Sequence, residues 1–125
     1  MPAKGGGQAV LYIVDRDASV RTALCRLALS GGLEARSFES VDQFVALPWR
    51  QGSACVILDS SQLVDGSKLQ NEMRRRGIDW PVIVLCDGDG KRARHDARAA
   101  GARFLLNKPV DAQALLDTIA WITEG

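Results

Sequence analysis

Three short apolar runs of this 125-residue chain end in groups that can carry phosphoryl chemistry. Ala54-Cys55-Val56-Ile57-Leu58 leads into Asp59, an earlier run through Val14 leads into Asp15, and a later one is followed by Lys108-Pro109. If each run is a strand, two carboxylates and an ammonium arrive at the same edge of one sheet. That set suits an aspartyl nucleophile: a carboxylate can attack phosphorus to form an acyl phosphate. The positive charge wanted on the transferring oxygens can come from a lysine and a divalent ion. A lone Asp after a strand is more often a loop residue or a helix cap, so the joint pattern carries the inference.

The elements that must position these groups are legible as an alternation of strand and helix. The pattern predicts strands at 9–14, 33–38, 54–58, 81–86 and 103–106, with helices at about 18–30, 41–47, 67–76, 91–100 and 112–123. Ser40 and Gln43 have the spacing of a capping box, and Asp17 and Asp111 are placed to cap helices. Gly31 and Gly77 stand where a left-handed residue ends a helix. Five β-α units with nearly continuous apolar strands predict a parallel sheet covered on both faces. Right-handed crossovers then give a doubly wound α/β domain with its ligand site outside the carboxyl ends of the strands. Asp15, Asp59, Cys86 and Lys108 all fall there.

Bulk composition narrows the function classes. Hydrophobic residues at 46% and charged residues at 25% are ordinary for a globular domain. A net charge of +1 gives no global field for nucleic acid or membrane, so the clusters Arg74 to Arg76 and Lys91 to Arg98 read as solvated helix surface. Cys25, Cys55 and Cys86 are odd in number and lack metal-ligand spacing; a reducing cytoplasm is the expected setting. No run approaches a membrane span. Residues 1–7 read as a flexible leader and 8–125 as one domain.

Taken together, the residues resemble the receiver domain of two-component response regulators, over residues 9 to 123. The motifs Val14-Asp15-Arg16-Asp17, Leu58-Asp59, Pro81-Val82-Ile83-Val84-Leu85-Cys86, Ala100-Gly101-Ala102 and Asn107-Lys108-Pro109 stand in the family's order and near its spacing. The stretch Leu69 to Pro81 looks most like the FixJ-type regulators of transcription. The resemblance implies the flavodoxin-like strand order 2-1-3-4-5 with five helices. It also implies a phosphorelay role: Asp59 takes a phosphoryl group from a sensor histidine kinase or phosphotransfer protein, and Lys108 pairs with that group. Asp15, Asp59 and the backbone carbonyl of Ser61 would contact magnesium. The expected consequence is control of dimerisation, in a homodimer, or of a transcriptional output domain. No enzymatic turnover and no direct nucleic-acid contact are implied for this stretch, in which no helix-turn-helix follows the domain.

The sequence departs from the family pattern at several of these positions. Arg16 replaces the second acid, so Asp15, Asp59, Arg16 and Lys108 sum to zero charge where the family's pocket carries −2. A unit charge pair at roughly 5 Å with effective ε about 20 is worth about 3 kcal/mol, so magnesium should bind weakly; guanidinium cannot ligate it. Cys86 replaces a Thr or Ser, giving a weak thiol donor in place of a hydroxyl, and reads as a packing residue. Leu105 stands at the aromatic switch position, while Phe104 should face the other way. Asp87 either pairs with Arg16 or belongs to the turn Asp87-Gly88-Asp89-Gly90. His95 is expected in solvent, and Trp49, Trp80 and Trp121 are expected to pack.

Two functions are therefore open: an atypical receiver with weak or absent magnesium-dependent phosphorylation, and a phosphorylation-independent pseudo-receiver that binds other proteins. In the second, Arg16 acts as a built-in cation that reaches Asp59 or Asp87. A haloacid-dehalogenase-like phosphatase would want an Asp where Ser61 stands.

Overall fold

The computed structural model describes residues 9–49, 52–87 and 91–124, so the leader expected at 1–7 and the turn at 88–90 lie outside the described residues. In chain order the elements are β1 (Val10–Val14), α1 (Ala18–Ser30), β2 (Glu34–Phe38), α2 (Val41–Val45) and β3 (Ala54–Asp59). There follow a 3-10 helix (Ser60–Asp65), α3 (Gly66–Arg76), β4 (Val82–Asp87), α4 (Lys91–Ala99), β5 (Phe104–Lys108) and α5 (Ala112–Glu124). All strands are parallel, in the order β2-β1-β3-β4-β5.

The central strands are apolar at nearly every position because both faces of the sheet are covered. β1 and β3 are buried throughout, and β4 is buried up to Cys86. Alternation splits them into two layers. Val10, Tyr12, Val14, Val56, Leu58, Val82 and Val84 pack with Val41 and Phe44 of α2 and Leu69 and Met73 of α3. Leu11, Ile13, Cys55, Ile57, Ile83 and Leu85 pack with Leu24 and Ala28 of α1 and Leu115 and Ile119 of α5. Burial in the second layer pushes the Cys55 thiol up to about 12, which leaves it chemically inert.

The expected caps are present with one exchange. Asp17 accepts from the amides of Ser19 and Val20, Ser40 from that of Gln43, and Asp111 from that of Ala114. Gly77 is left-handed at φ 70°, as expected, but at the end of α1 that role falls to Gly32 at φ 78° and not to Gly31. Gly31 has φ −91° and serves close packing instead: a Cβ there would stand 2.8 Å from Leu116 of α5.

Helix α2 stops at Val45, short of the expected 47, because Pro48 disfavours helical geometry before it. Its freed carbonyls are taken by Arg76, whose guanidinium donates to Val45 O at 2.7 Å and Leu47 O at 3.0 Å. The same group lies 3.9 Å from the Trp49 ring centre. Trp49 and Trp80 pack with Tyr12 and Phe44 as expected. Trp121 departs from that expectation: it is 71% exposed, its ring set at right angles to that of Phe104. His95 is exposed, as expected.

A joint between α3 and the far end of α4 fixes where β5 begins. Gly66 packs so closely that a Cβ would stand 2.5 Å from that of Ala100. Gln70 donates to Ala100 O at 2.6 Å, and its amide fills the space a Cβ on left-handed Gly101 would need.

Candidate functional site

Strand register brings the predicted acids together. Val14 stands opposite Leu58, so Asp15 and Asp59 are one step past paired positions on adjacent strands. Lys108 lies on β5, with β4 between it and β3. Strands are about 4.8 Å apart, so the two backbones lie about 10 Å apart and the long lysine stem must meet the Asp59 side chain partway. It does so: Nζ lies 2.5 Å from Asp59 Oδ1 and 3.5 Å from Asp15 Oδ2. The peptide bond following Lys108 is cis.

The carboxylates are nearly sealed, with Asp15 3% and Asp59 6% exposed. Burial pushes the Asp59 carboxyl up. The Lys108 ammonium and both donors of Ser61 outweigh it, so the net shift is below the ordinary carboxylate value. Burial lowers Lys108, while Asp59, Asp15 and Asp87 together hold it above its ordinary value. The pair is therefore carboxylate and ammonium across the neutral range.

Each carboxylate oxygen already has a donor. Asp59 Oδ2 accepts from the Ser61 amide at 3.1 Å and from the Ser61 hydroxyl. Asp15 Oδ1 accepts from the Asp17 amide at 2.9 Å, and Lys108 serves the remaining oxygen of each acid. Among the described residues no three acidic, histidine or cysteine side chains are grouped to hold a metal. Magnesium wants near-octahedral oxygen ligation. Here the oxygens of Asp15 and Asp59 that could ligate it are engaged by Lys108, the Asp17 amide and Ser61.

Arg16 requires a correction. Its side chain is exposed, and among the described residues it makes no ion pair with Asp59 or Asp87. The cation at the carboxylates is Lys108. Asp87 does not pair with Arg16; it is exposed and acts on Lys108 through its charge. The expectation that Asp17 caps α1 holds.

The two expected switch positions are buried or half-buried. Cys86 is buried at 2% exposure, its thiol 3.6 Å from the Asp87 carbonyl. Leu105 packs in the α2-α3 layer, whereas Phe104 packs in the α1-α5 layer.

Two residues of the site surroundings were not foreseen. Arg21, on the first turns of α1, donates to the carbonyls of Asp15 at 2.8 Å and Arg16 at 2.9 Å, tying down the loop that carries Asp15. Its position six residues after Asp15 was the only available signal. Gln62 is 5% exposed and bridges the 3-10 helix to α2, accepting from the Val41 amide and donating to Glu39 O, both at 3.3 Å. Nothing in its polar neighbourhood announced that burial.

Comparison with known proteins agrees with this geometry. Residues 11–120 match the family described as response regulator receiver domain. The chain is 35% identical over 117 residues to the transcriptional regulatory protein TdiR of Thauera aromatica, covering 93% of this chain and 52% of that protein. It is 30% identical over 118 residues to nodulation protein W of Bradyrhizobium diazoefficiens, covering 94% and 52%. The chain thus spans about half the length of these curated relatives. The crystal structure of a response regulator receiver protein from Burkholderia phymatum superposes with TM-score 0.77 at 33% identity, covering 94% of this chain and 96% of that one. Full-length FixJ from B. japonicum superposes with TM-score 0.80 at 23% identity, covering 94% and 59%.

Proposed function

The chain belongs to the response regulator receiver domain family, and on that premise we propose that it is an atypical receiver with Asp59 as phosphoacceptor and weak magnesium-dependent phosphorylation. The observation that carries this reading is the Lys108 ammonium set between two buried carboxylates, 2.5 Å from Asp59 and 3.5 Å from Asp15.

In this reading an Asp59 oxygen attacks the phosphorus of a phosphohistidine on a sensor kinase or phosphotransfer protein. The oxygen-phosphorus bond forms as the phosphorus-nitrogen bond breaks, and Lys108 follows the charge onto the new phosphoryl oxygens. Asp59 must first give up its contact with Lys108 and one or both donors of Ser61. That requirement, with Arg16 beside the pocket, makes the reaction slow. The modified domain then controls dimerisation or a transcriptional output, as its relatives' names suggest, in the cytoplasm. Among the described residues no helix is long and apolar enough to cross a membrane.

A second reading, a phosphorylation-independent binding module, is favoured by one specific observation: every carboxylate oxygen of Asp15 and Asp59 already has a donor. Incubation with magnesium and acetyl phosphate, followed by intact mass, separates the two. Slow labelling that disappears in Asp59→Asn is the expected result. Rapid, stoichiometric labelling would refute the attenuated pocket, and no labelling at any magnesium concentration would leave the binding module.

A further inference from the structure

Of the 3-10 helix Ser60–Asp65, which carries Ser61, Gln62 alone is buried. A buried primary amide is costly unless both of its ends are partnered. Here both are, and by the main chain of another loop: Oε1 accepts from the Val41 amide and Nε2 donates to the Glu39 carbonyl, each at 3.3 Å. The Val41 amide is one of the donors that the start of a helix leaves without a partner inside it. Ser40 serves the Gln43 amide, so Gln62 completes the cap of α2 from outside the helix.

The same turn is held from a second side. Arg21 Nη2 lies 4.0 Å from Glu39 Oε1, and Nη1 donates to the carbonyls of Asp15 and Arg16. The segments that carry the two buried carboxylates are thus both tied to residues 39–41, one through Arg21 and one through Gln62. Arg21 is the lesser tie, because the Glu39 side chain is mostly exposed and such an ion pair is weak. Gln62 is the greater, because its partners are main-chain groups at buried or half-buried positions.

We propose that Gln62 is a positioning residue for Asp59: it holds the 3-10 helix against the start of α2 and so keeps the Ser61 amide and hydroxyl on the Asp59 carboxylate. The proposal rests on the reading of Asp59 as phosphoacceptor and names what restrains that residue. Asp59 must shed one or both donors of Ser61 before its oxygen attacks phosphorus, and Ser61 is the chain neighbour of Gln62. A side chain anchored at two points of a different loop resists that movement, so the state in which Asp59 is free to react is less populated. A residue that served only to cap α2 would lose stability on substitution and leave Asp59 as it was.

Gln62→Met keeps the length of the side chain and removes both hydrogen bonds. Ile119→Val, in the opposite α1-α5 layer, is a control destabilised away from the site. Each chain is incubated with magnesium and acetyl phosphate while intact mass is followed in time, and amide exchange is read at Val41, Ser61 and Ile57. Ile57, in the middle of β3 and fully covered, reports global unfolding. In Gln62→Met, Ser61 should lose protection beyond any loss at Ile57, and labelling of Asp59 should speed up roughly fivefold, the factor that one net hydrogen bond is worth. Ile119→Val should show neither effect. In the wild type the Ser61 amide should open no more readily than that of Val41, a comparison that stands even if the variant misfolds. Ser61 opening while Val41 stays protected, unchanged relative protection of Ser61 in Gln62→Met, or labelling no faster than in Ile119→Val would overturn the proposal. If no chain is labelled, the phosphoacceptor reading fails and the exchange data alone decide: selective loss of protection at Ser61 in Gln62→Met upholds the restraint on the carboxylate, and its absence overturns it.

Discussion

Replacing Lys108 with methionine removes the one cation that, among the described residues, contacts the two nearly sealed carboxylates. At 2.5 Å from Asp59 and an effective ε of about 20, the gross attraction is about 7 kcal/mol, with a further contribution from Asp15. Desolvation of the three groups cancels a large part of this in the native protein. Removing one partner leaves that desolvation uncompensated, so the expected loss at pH 7 is about 3 kcal/mol. The pH dependence has a defined sign. In the wild type, Asp59 is held below its ordinary value, so its contribution is present above the unfolded carboxyl value of about 3.9 and is lost as pH falls through the folded one. In the variant, burial acts without the lysine, and the folded carboxyl should move above the unfolded value. The variant should then gain stability as pH falls through that raised value, and its deficit against wild type should shrink towards pH 4. Urea unfolding followed by tryptophan fluorescence at several pH values measures both effects. Adding Asp59→Asn should recover more than half of the loss, because a neutral amide no longer needs the ammonium. A deficit under about 1 kcal/mol, a deficit independent of pH, or no recovery in the double variant would show that the contact does not compensate buried charge.

Two further predictions concern Arg16 and Arg76. Arg16→Asp should tighten magnesium binding and speed acetyl phosphate labelling, both lost in an added Asp59→Asn; labelling that survives would place the acceptor elsewhere. Arg76→Ala should destabilise the chain by about 2 kcal/mol in urea unfolding, from the orphaned carbonyls of Val45, which ends α2, and Leu47 beyond it, and the lost contact with Trp49; a loss within about 0.5 kcal/mol would mean that water satisfies these carbonyls equally well.

What the sequence disclosed depended on whether a feature was local. Asp15, Asp59 and Lys108 could be placed because each follows or ends an apolar run that reads as a strand, and parallel strands end on the same side. Arg16 could be counted as a charge but not aimed: whether its side chain turns in or out depends on what else occupies the pocket, and Lys108 and the Asp17 amide already serve Asp15. The choice between Gly31 and Gly32 for the left-handed position was settled by Leu116, some eighty-five residues away in the chain. Ser60–Asp65 carries no clear helical period, and its 3-10 turn starts from the Asp59 carboxylate gripping the Ser61 amide, a contact that spacing alone does not reveal.

The joint of Gln70 and Gly66 with Ala100 and Gly101 bears on the site although it lies at the opposite end of β5. Lys108 reaches the carboxylates only in the present pairing of β5 with β4, in which Asp87 stands opposite Lys108. A slip of one residue would turn Lys108 to the other face of the sheet and bring its neighbour in its place. The turn at Ala100 to Arg103 therefore acts as a gauge block that sets the starting point of the strand, and through it the charge balance of a pocket it never touches. Insertions or deletions of a single residue in that turn should abolish the site more reliably than many substitutions made within it.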